Sequence, residues 1–469
     1  MFKAIEEFLY PIVCDINLYL SNYLLVFLLL GVGIWYTWKT KFVQVRCFKE
    51  GFKQVFGSIT LKGKKEQHGM SSFQALTTAI AAQVGTGNIV GSSGAILIGG
   101  PGAIFWMWVI AFFGMATIYA EATLALKTRV VKKDGTIYGG PVYYIRTAFK
   151  GKLGKYMAAF FAIAIVFALG FMGCMVQANS ISSTFETAFH IPPVFIGIIL
   201  IIACGFVFLS DLHRLATIVE KIVPIMAIIF LSGAIFILLN RLAYLPETFS
   251  MIISYAFSPQ AIIGGSFGYA LKETISQGAK RGLFSNEAGM GSTPHAHAQA
   301  DVKHPHEQGV VAIIGVFLDT FVVLTLNALV IISTLYTSDG PLHACGAAAA
   351  QTVLNKTNLA QAAFSSVMGD QIGAAFVAIC LLFFSFSTAI SWNMFGKINI
   401  AYLFGKKAIP VYSIISLLFI FTGTLVSNDF VWELTDLFNN MMVIPNTLAL
   451  FALTGMVVHS LKERKNGAH

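Results

Sequence analysis

Apolar residues run through this chain in blocks of about 20, the length that carries an α-helix across a bilayer. The pattern predicts helices over approximately 18–38, 71–98, 102–126, 156–188, 194–209, 217–240, 260–283, 309–336, 371–402, 411–426 and 431–459. Strand-like alternation is absent from these blocks, so the fold class expected is an all-α integral membrane protein of about 11 transmembrane helices. The N-terminus lacks the cationic region and small-residue cleavage site of a signal peptide, so the first apolar block reads as a retained span.

Two of the predicted helices are interrupted inside their apolar runs. The first break is Ala82-Gln-Val-Gly-Thr-Gly-Asn88 and the second is Gly264-Gly-Ser-Phe-Gly268. Small residues alone would suit close helix packing. Glycine-interrupted helices at matching places in two halves point instead to a transport site near the bilayer midplane. Five helices followed by five of opposite direction, each set opening on a broken helix, is the arithmetic of an inverted repeat.

Composition agrees with a lipid environment. Of 469 residues, 56% are hydrophobic and 11% charged, against about 25% charged in soluble domains. A soluble enzyme, a secreted disulfide scaffold and a nucleic-acid binder are excluded. The six cysteines show no CxxC-type pairing and read as buried apolar side chains. The net charge of +9 is a topology signal. With the N-terminus outside, only Lys3, Arg241 and Lys356 fall on the outer side, and the other 28 of 31 basic residues lie inside. The expected placement is therefore multi-pass in the plasma (inner) membrane, with the C-terminus cytoplasmic. Membrane lipid is one partner, nucleic acid is not, and oligomeric state stays open.

Three motifs carry a family likeness. Gly99-Gly-Pro-Gly-Ala-Ile-Phe-Trp-Met-Trp-Val-Ile-Ala-Phe-Phe-Gly114 resembles the signature of the alanine or glycine:cation symporters. Val84-Gly-Thr-Gly-Asn-Ile-Val90 and Arg281-Gly-Leu-Phe-Ser-Asn-Glu-Ala-Gly-Met-Gly-Ser292 resemble two further motifs of that family, in the family's order. The resemblance, from about Ser71 onward, implies a leucine-transporter-like 5+5 inverted repeat with one extra N-terminal helix. It divides the chain into 1–66, 67–250 and 251–469. It also implies sodium-coupled import of small neutral amino acids such as alanine or glycine by alternating access. Glutamine as substrate, or protons as coupling ion, are the alternatives. No covalent chemistry and no organic cofactor are expected; Na+ is the coupling ion.

A broken helix offers unpaired N–H groups to a carboxylate and unpaired C=O groups to a cation or ammonium. Gln83, Gly85, Thr86, Gly87 and Asn88 are thus candidates for the substrate carboxylate and ions. Gly264, Gly265, Ser266, Phe267 and Gly268 are candidates for the ammonium and side chain. The resemblance further assigns one sodium to the carbonyls of Ala81, Val84 and Phe384 and the hydroxyls of Ser387 and Thr388. Arg281 and Glu287, with Lys272 or Glu273, are candidates for inner-gate ion pairs, and Glu121 and Asp319 are further intramembrane charges. A rival class rests on His295, His297, His304, His306 and Glu307, which could bind zinc in a metal transporter or membrane metalloenzyme. No charged ring or repeated pore loop suggests a channel.

Overall fold

The computed structural model describes residues 2–57, 69–133, 136–210, 212–258, 267–343 and 354–466, and these are almost wholly helical. Helix α1 (Phe2–Tyr19) passes through a wide turn at Leu20–Leu25 into α2 (Val26–Lys39), followed by α3 (Val43–Arg46) and α4 (Phe48–Gly57). The first core helix is split into α5 (Ser72–Gln83) and a wide turn Gly87–Gly91 that leads into α6 (Ser92–Gly99). Then come α7 (Ala103–Thr128), a two-stranded hairpin, α8 (Pro141–Ala148), α9 (Gly151–Ile165), α10 (Cys174–Phe189), α11 (Pro193–Phe208), α12 (Leu212–Asn240) and α13 (Leu245–Phe257). The second half holds α14 (Phe267–Asn286), α15 (Pro294–His297), α16 (Pro305–Val316), α17 (Thr325–Ile331), α18 (Leu359–Met368) and α19 (Asp370–Phe404). It closes with α20 (Ile409–Gly423), α21 (Asn428–Ala452) and α22 (Thr454–Asn466).

Among the described residues six helices are long and apolar enough to cross a membrane, or seven if α21 and α22, bent by 57°, count as one span. Others of the expected spans are shorter than the sequence pattern suggested. Val26–Lys39, Gly87–Gly99 and Pro193–Phe208 are apolar but interrupted or brief. The outer faces of α11, α12 and α20 expose Ile199, Phe206, Ile228, Leu239, Val411 and Leu418. Apolar area this large and contiguous belongs against lipid rather than water.

Inside, α7 is the central post, with α2, α14 and α16 packed along it, while α10, α12 and α18 pack on α19. Helix α5 begins with a reciprocal cap: Ser71 Oγ accepts from Gln74 N–H at 3.1 Å, and Gln74 Oε1 accepts from Ser71 N–H at 3.2 Å. Just before it, Met70 pairs with the stretch after α15, its N–H donating to Gln299 C=O at 2.9 Å. The start of α5 and the end of α15 therefore lie at the same end of the bundle. The N-terminal helix α1 lies on α21, where Asn17 Nδ2 donates to Glu433 O at 2.8 Å.

Candidate functional site

The interruption in the first core helix is real and is held open by side chains. In a continuous helix the C=O groups of Ala81 and Val84 would accept from the N–H groups of Gly85 and Asn88. Those two amides go elsewhere, Gly85 N–H to Asn88 Oδ1 at 2.9 Å and Asn88 N–H to Gly85 O at 3.2 Å. Thr86 N–H donates to Gln177 Oε1 of α10 at 3.2 Å. The freed carbonyls gather round one hydroxyl: Thr388 Oγ1 lies 2.7 Å from Ala81 O, 3.3 Å from Val84 O and 2.9 Å from Phe384 O. Ser387 Oγ shares Phe384 O at 2.9 Å. The structure thus brings together all five residues expected to meet sodium. All five are buried.

Gly87 needs to be glycine here for contact reasons. A Cβ on it would come within 3.0 Å of the Phe284 ring and 3.1 Å of Ser285 Cα. Residues 85–88 therefore abut the C-terminal end of α14, and Gln83 Nε2 donates to Asn286 O at 2.7 Å. Gln83 Oε1 and Gln177 Nε2, both buried, have no hydrogen-bond partner among the described residues. Gln177, which sequence reasoning missed, places an amide donor beside the break. A cavity of about 10 Å³ between Gln177 and Ser385 holds one water at most.

The second expected break falls mostly outside the described residues. Gly264, Gly265 and Ser266 are outside the described residues, and Phe267 is the first residue of α14. Gly268 is exposed and sits about 26 Å along the helix axis from Ser285, at 1.5 Å per residue. It does not converge with Gly85–Asn88. Among the described residues a break lies at 287–293, where Glu287, Gly289 and Gly291 take φ of 57°, 90° and 80°. The reason is local. Three left-handed residues in five cannot continue a right-handed helix, and tertiary partners hold them so. Glu121 Oε2 accepts from Gly289 N–H at 3.0 Å, and Asn446 Nδ2 donates to Gly289 O at 2.9 Å and to Glu121 Oε1 at 2.7 Å.

Arg281 and Glu287 do not pair. Arg281 forms an ion pair with Asp436 at 3.1 Å, and its guanidinium lies 4.5 Å from the Trp432 ring. Glu287 accepts from Trp392 Nε1 at 2.5 Å and from the Ser292 hydroxyl. The Arg281–Asp436 pair is on the α6 side of the breaks, because Thr274, two turns before Arg281, donates to Gly99 O at the end of α6. Lys272 and Glu273 belong to that same end, not to the end where α5 begins.

The histidines do not form the zinc cluster that was considered. His295 bonds Ser292 O and Asn399 Nδ2, His297 bonds Gln308, and His304 is exposed. His306 turns the other way, to Tyr119 OH at 2.8 Å and Glu50 at 3.3 Å, with Cys47 in the same group.

Paired broken helices meeting inside a bundle of membrane-length helices are the architecture of secondary transporters. Residues 6–468 match the sodium:alanine symporter family, and the chain belongs to that family. It is 39% identical to the "Sodium/alanine symporter AgcS" of Methanococcus maripaludis, covering 95% of this chain and 96% of that protein. It is 38% identical to the "Probable sodium/glutamine symporter GlnT" of Bacillus subtilis, covering 98% and 91%. Its fold is shared with MhsT, whose structure holds L-phenylalanine, at a TM-score of 0.53 and 15% identity over 86% of this chain and 100% of that one.

Proposed function

We propose that this protein is a sodium-coupled symporter that imports a small neutral amino acid, alanine or glycine, by alternating access. The observation that carries the reading is the oxygen cluster at Thr388. One hydroxyl has one hydrogen, yet three carbonyl oxygens lie within 3.3 Å of it. Two of those carbonyls are released by the break in the first core helix. A hard monovalent cation satisfies such a set, with Ser387 completing it, by the same chemistry that draws sodium to unwound carbonyls in broken helices.

The substrate then sits against residues 85–88. Its carboxylate is met by the N–H groups of the unwound segment, the Asn88 amide and the free Gln177 Nε2; its ammonium meets the free Gln83 Oε1. Among residues 82–88 there is no charged side chain, which suits a zwitterion that brings both charges itself. Phe284 and Ser285, pressed on Gly87, leave room only for a short side chain.

The two halves, 67–250 and 251–469, form the 5+5 repeat of an eleven-span protein, with the N-terminus outside and the C-terminus cytoplasmic. Their breaks are 84–88 and 287–293. The Arg281–Asp436 pair with Trp432 then serves as a gate on the outer side. The similar identity to the GlnT relative supports glutamine as the second reading of substrate.

Purified protein in proteoliposomes tests the proposal. Labelled alanine accumulates under an inward sodium gradient and not under choline, and Thr388→Val loses the sodium stimulation while remaining folded. Uptake that ignores sodium overturns the coupling; sodium-driven uptake of glutamine alone replaces the substrate.

A further inference from the structure

The corner between α3 and α4 carries side chains that take no part in the site proposed above. Cys47 sits at that corner and Glu50 is the third residue of α4, a spacing of three that brings their side chains to one face. His306, the second residue of α16, reaches them from the far half of the chain. Its Nε2 lies 3.3 Å from a Glu50 carboxylate oxygen. One ligand atom each from Cys47, Glu50 and His306 all fall within 4.8 Å of one another. Cys47 and His306 are buried, while the Glu50 side chain is 30% exposed.

Packing fixes this convergence. Helix α4 is pressed on α16, where a Cβ on Gly51 would collide with Val310 O. Helix α16 is pressed in turn on α7, where a Cβ on Gly309 would lie 2.7 Å from the Tyr119 ring. The buried Tyr119 hydroxyl stands 2.8 Å from His306 Nδ1. With Nδ1–H donating to that oxygen, Nε2 turns a lone pair to Glu50 and Cys47, which is the tautomer that outer partners fix in metal-bound histidines. Ser72 Oγ donates to Gln308 Oε1 at 2.6 Å, so the group lies at the end of the bundle where α5 begins.

We infer that Cys47, Glu50 and His306 form a zinc site that staples the N-terminal segment α3–α4 to α16. Thiolate, imidazole and carboxylate together are donors for zinc, whereas sodium and calcium take oxygens. Tetrahedral zinc with bonds of about 2.0–2.3 Å sets its donors about 3.3–3.8 Å apart, so a small closure of the group suffices. The part-exposed side at Glu50 leaves the fourth position to water. Binding releases the Cys47 thiol proton, with any proton on His306 Nε2, to solvent. The orientation proposed above puts the site in the cytoplasm, where thiols stay reduced. The staple does not depend on which substrate or ion the protein carries.

The test titrates zinc into the purified, chelator-treated full chain without a histidine tag. The wild type takes up about one zinc per chain more than Cys47→Ser. Cobalt in place of zinc gives a sulfur-to-cobalt charge-transfer band that Cys47→Ser lacks. With zinc about tenfold above its dissociation constant, trypsin cuts after Lys49 and Lys53, both exposed on α4, about tenfold more slowly. Cys47→Ser loses that protection, and so does His306→Gln. If His306→Gln does not fold, Glu50→Gln at its part-exposed position keeps the thiolate and imidazole and raises the zinc dissociation constant at least about tenfold. Equal zinc uptake by the wild type, Cys47→Ser and Glu50→Gln overturns the site, as does cobalt binding without the sulfur band. Cleavage of α4 that zinc leaves unchanged in the wild type overturns the staple.

Discussion

The two broken helices meet at one place but are built differently. The first break is held by separate side chains: Asn88 takes the Gly85 amide, Gln177 takes the Thr86 amide and the Thr388 hydroxyl meets the freed carbonyls, with Asp319 taking Asn88 Nδ2. The second is pinned by carboxylates. Glu121 holds the Gly289 amide, Glu287 is held by Trp392 and Ser292, and Asn446 ties Gly289 to Glu121, while the Tyr144 hydroxyl donates to Asn446. Bonds that share partners in this way support one another, because Asn446 fixes both Gly289 and Glu121. The first break therefore reads as the part that exchanges its partners for cargo, and the second as the fixed wall it works against. Symmetry of fold does not make the halves equivalent in chemistry.

That contrast is broken most sharply by filling the contact between them. Gly87→Leu drives a side chain into Phe284 and Ser285, and alanine uptake should fall by at least about a hundredfold, or about 2.7 kcal/mol. The purified variant should keep a thermal transition, because the first break tolerates rearrangement. Asn88→Ala should follow it in direction. Gly291→Ala probes the wall. The backbone at φ 80° disfavours any Cβ, and Phe161 and Pro141 both lie 2.9 Å from where it would sit. Thermal stability should drop by about 2–3 kcal/mol, with the sodium dependence of the surviving protein unchanged. Equal loss of transport and stability in both variants would erase the difference between the breaks.

Smaller effects sharpen it. Thr388→Val removes the hydroxyl that gathers three carbonyls; sodium stimulation of uptake should be lost, with the unfolding midpoint shifted by only a few degrees. Gly268→Ala should change neither uptake nor stability by more than about 0.5 kcal/mol, because no described residue lies within 4 Å of the added methyl. A large transport defect in Gly268→Ala would return the substrate to the start of α14.

The asymmetry also explains what the sequence disclosed. The first break is legible because Gly85-Thr-Gly87 interrupts an apolar run, and neither glycine has a competing explanation in surface polarity. The second is hidden twice. Glu287-Ala-Gly-Met-Gly-Ser-Thr293 lies among polar residues that hydropathy assigns to a loop, and its holders are remote in the chain. Gly289-Met-Gly291 repeats the glycine spacing of the first break, and that signal was available. The partners that make it a break, Glu121 and Asn446, are 168 and 157 residues away in the chain, beyond the reach of any local pattern. Arg281 falls inside the helix expected over 260–283, but its partner Asp436 is 155 residues away and leaves no local signature. Gln177 was missed because it is one of several polar residues on α10, with Asn179, Ser180 and Ser182, and no periodic signature singles it out. The candidate sodium residues rest on family likeness, and no spacing rule joins Ala81 to Thr388.

The measurement that bears most directly on the account is alanine uptake into proteoliposomes containing the wild type or Thr388→Val, with sodium against choline at matched pH. Sodium-driven accumulation in the wild type, lost in Thr388→Val with folding intact, is the predicted result. Full sodium stimulation in Thr388→Val would show that the first break does not hold the coupling ion, and the account would fail at its centre.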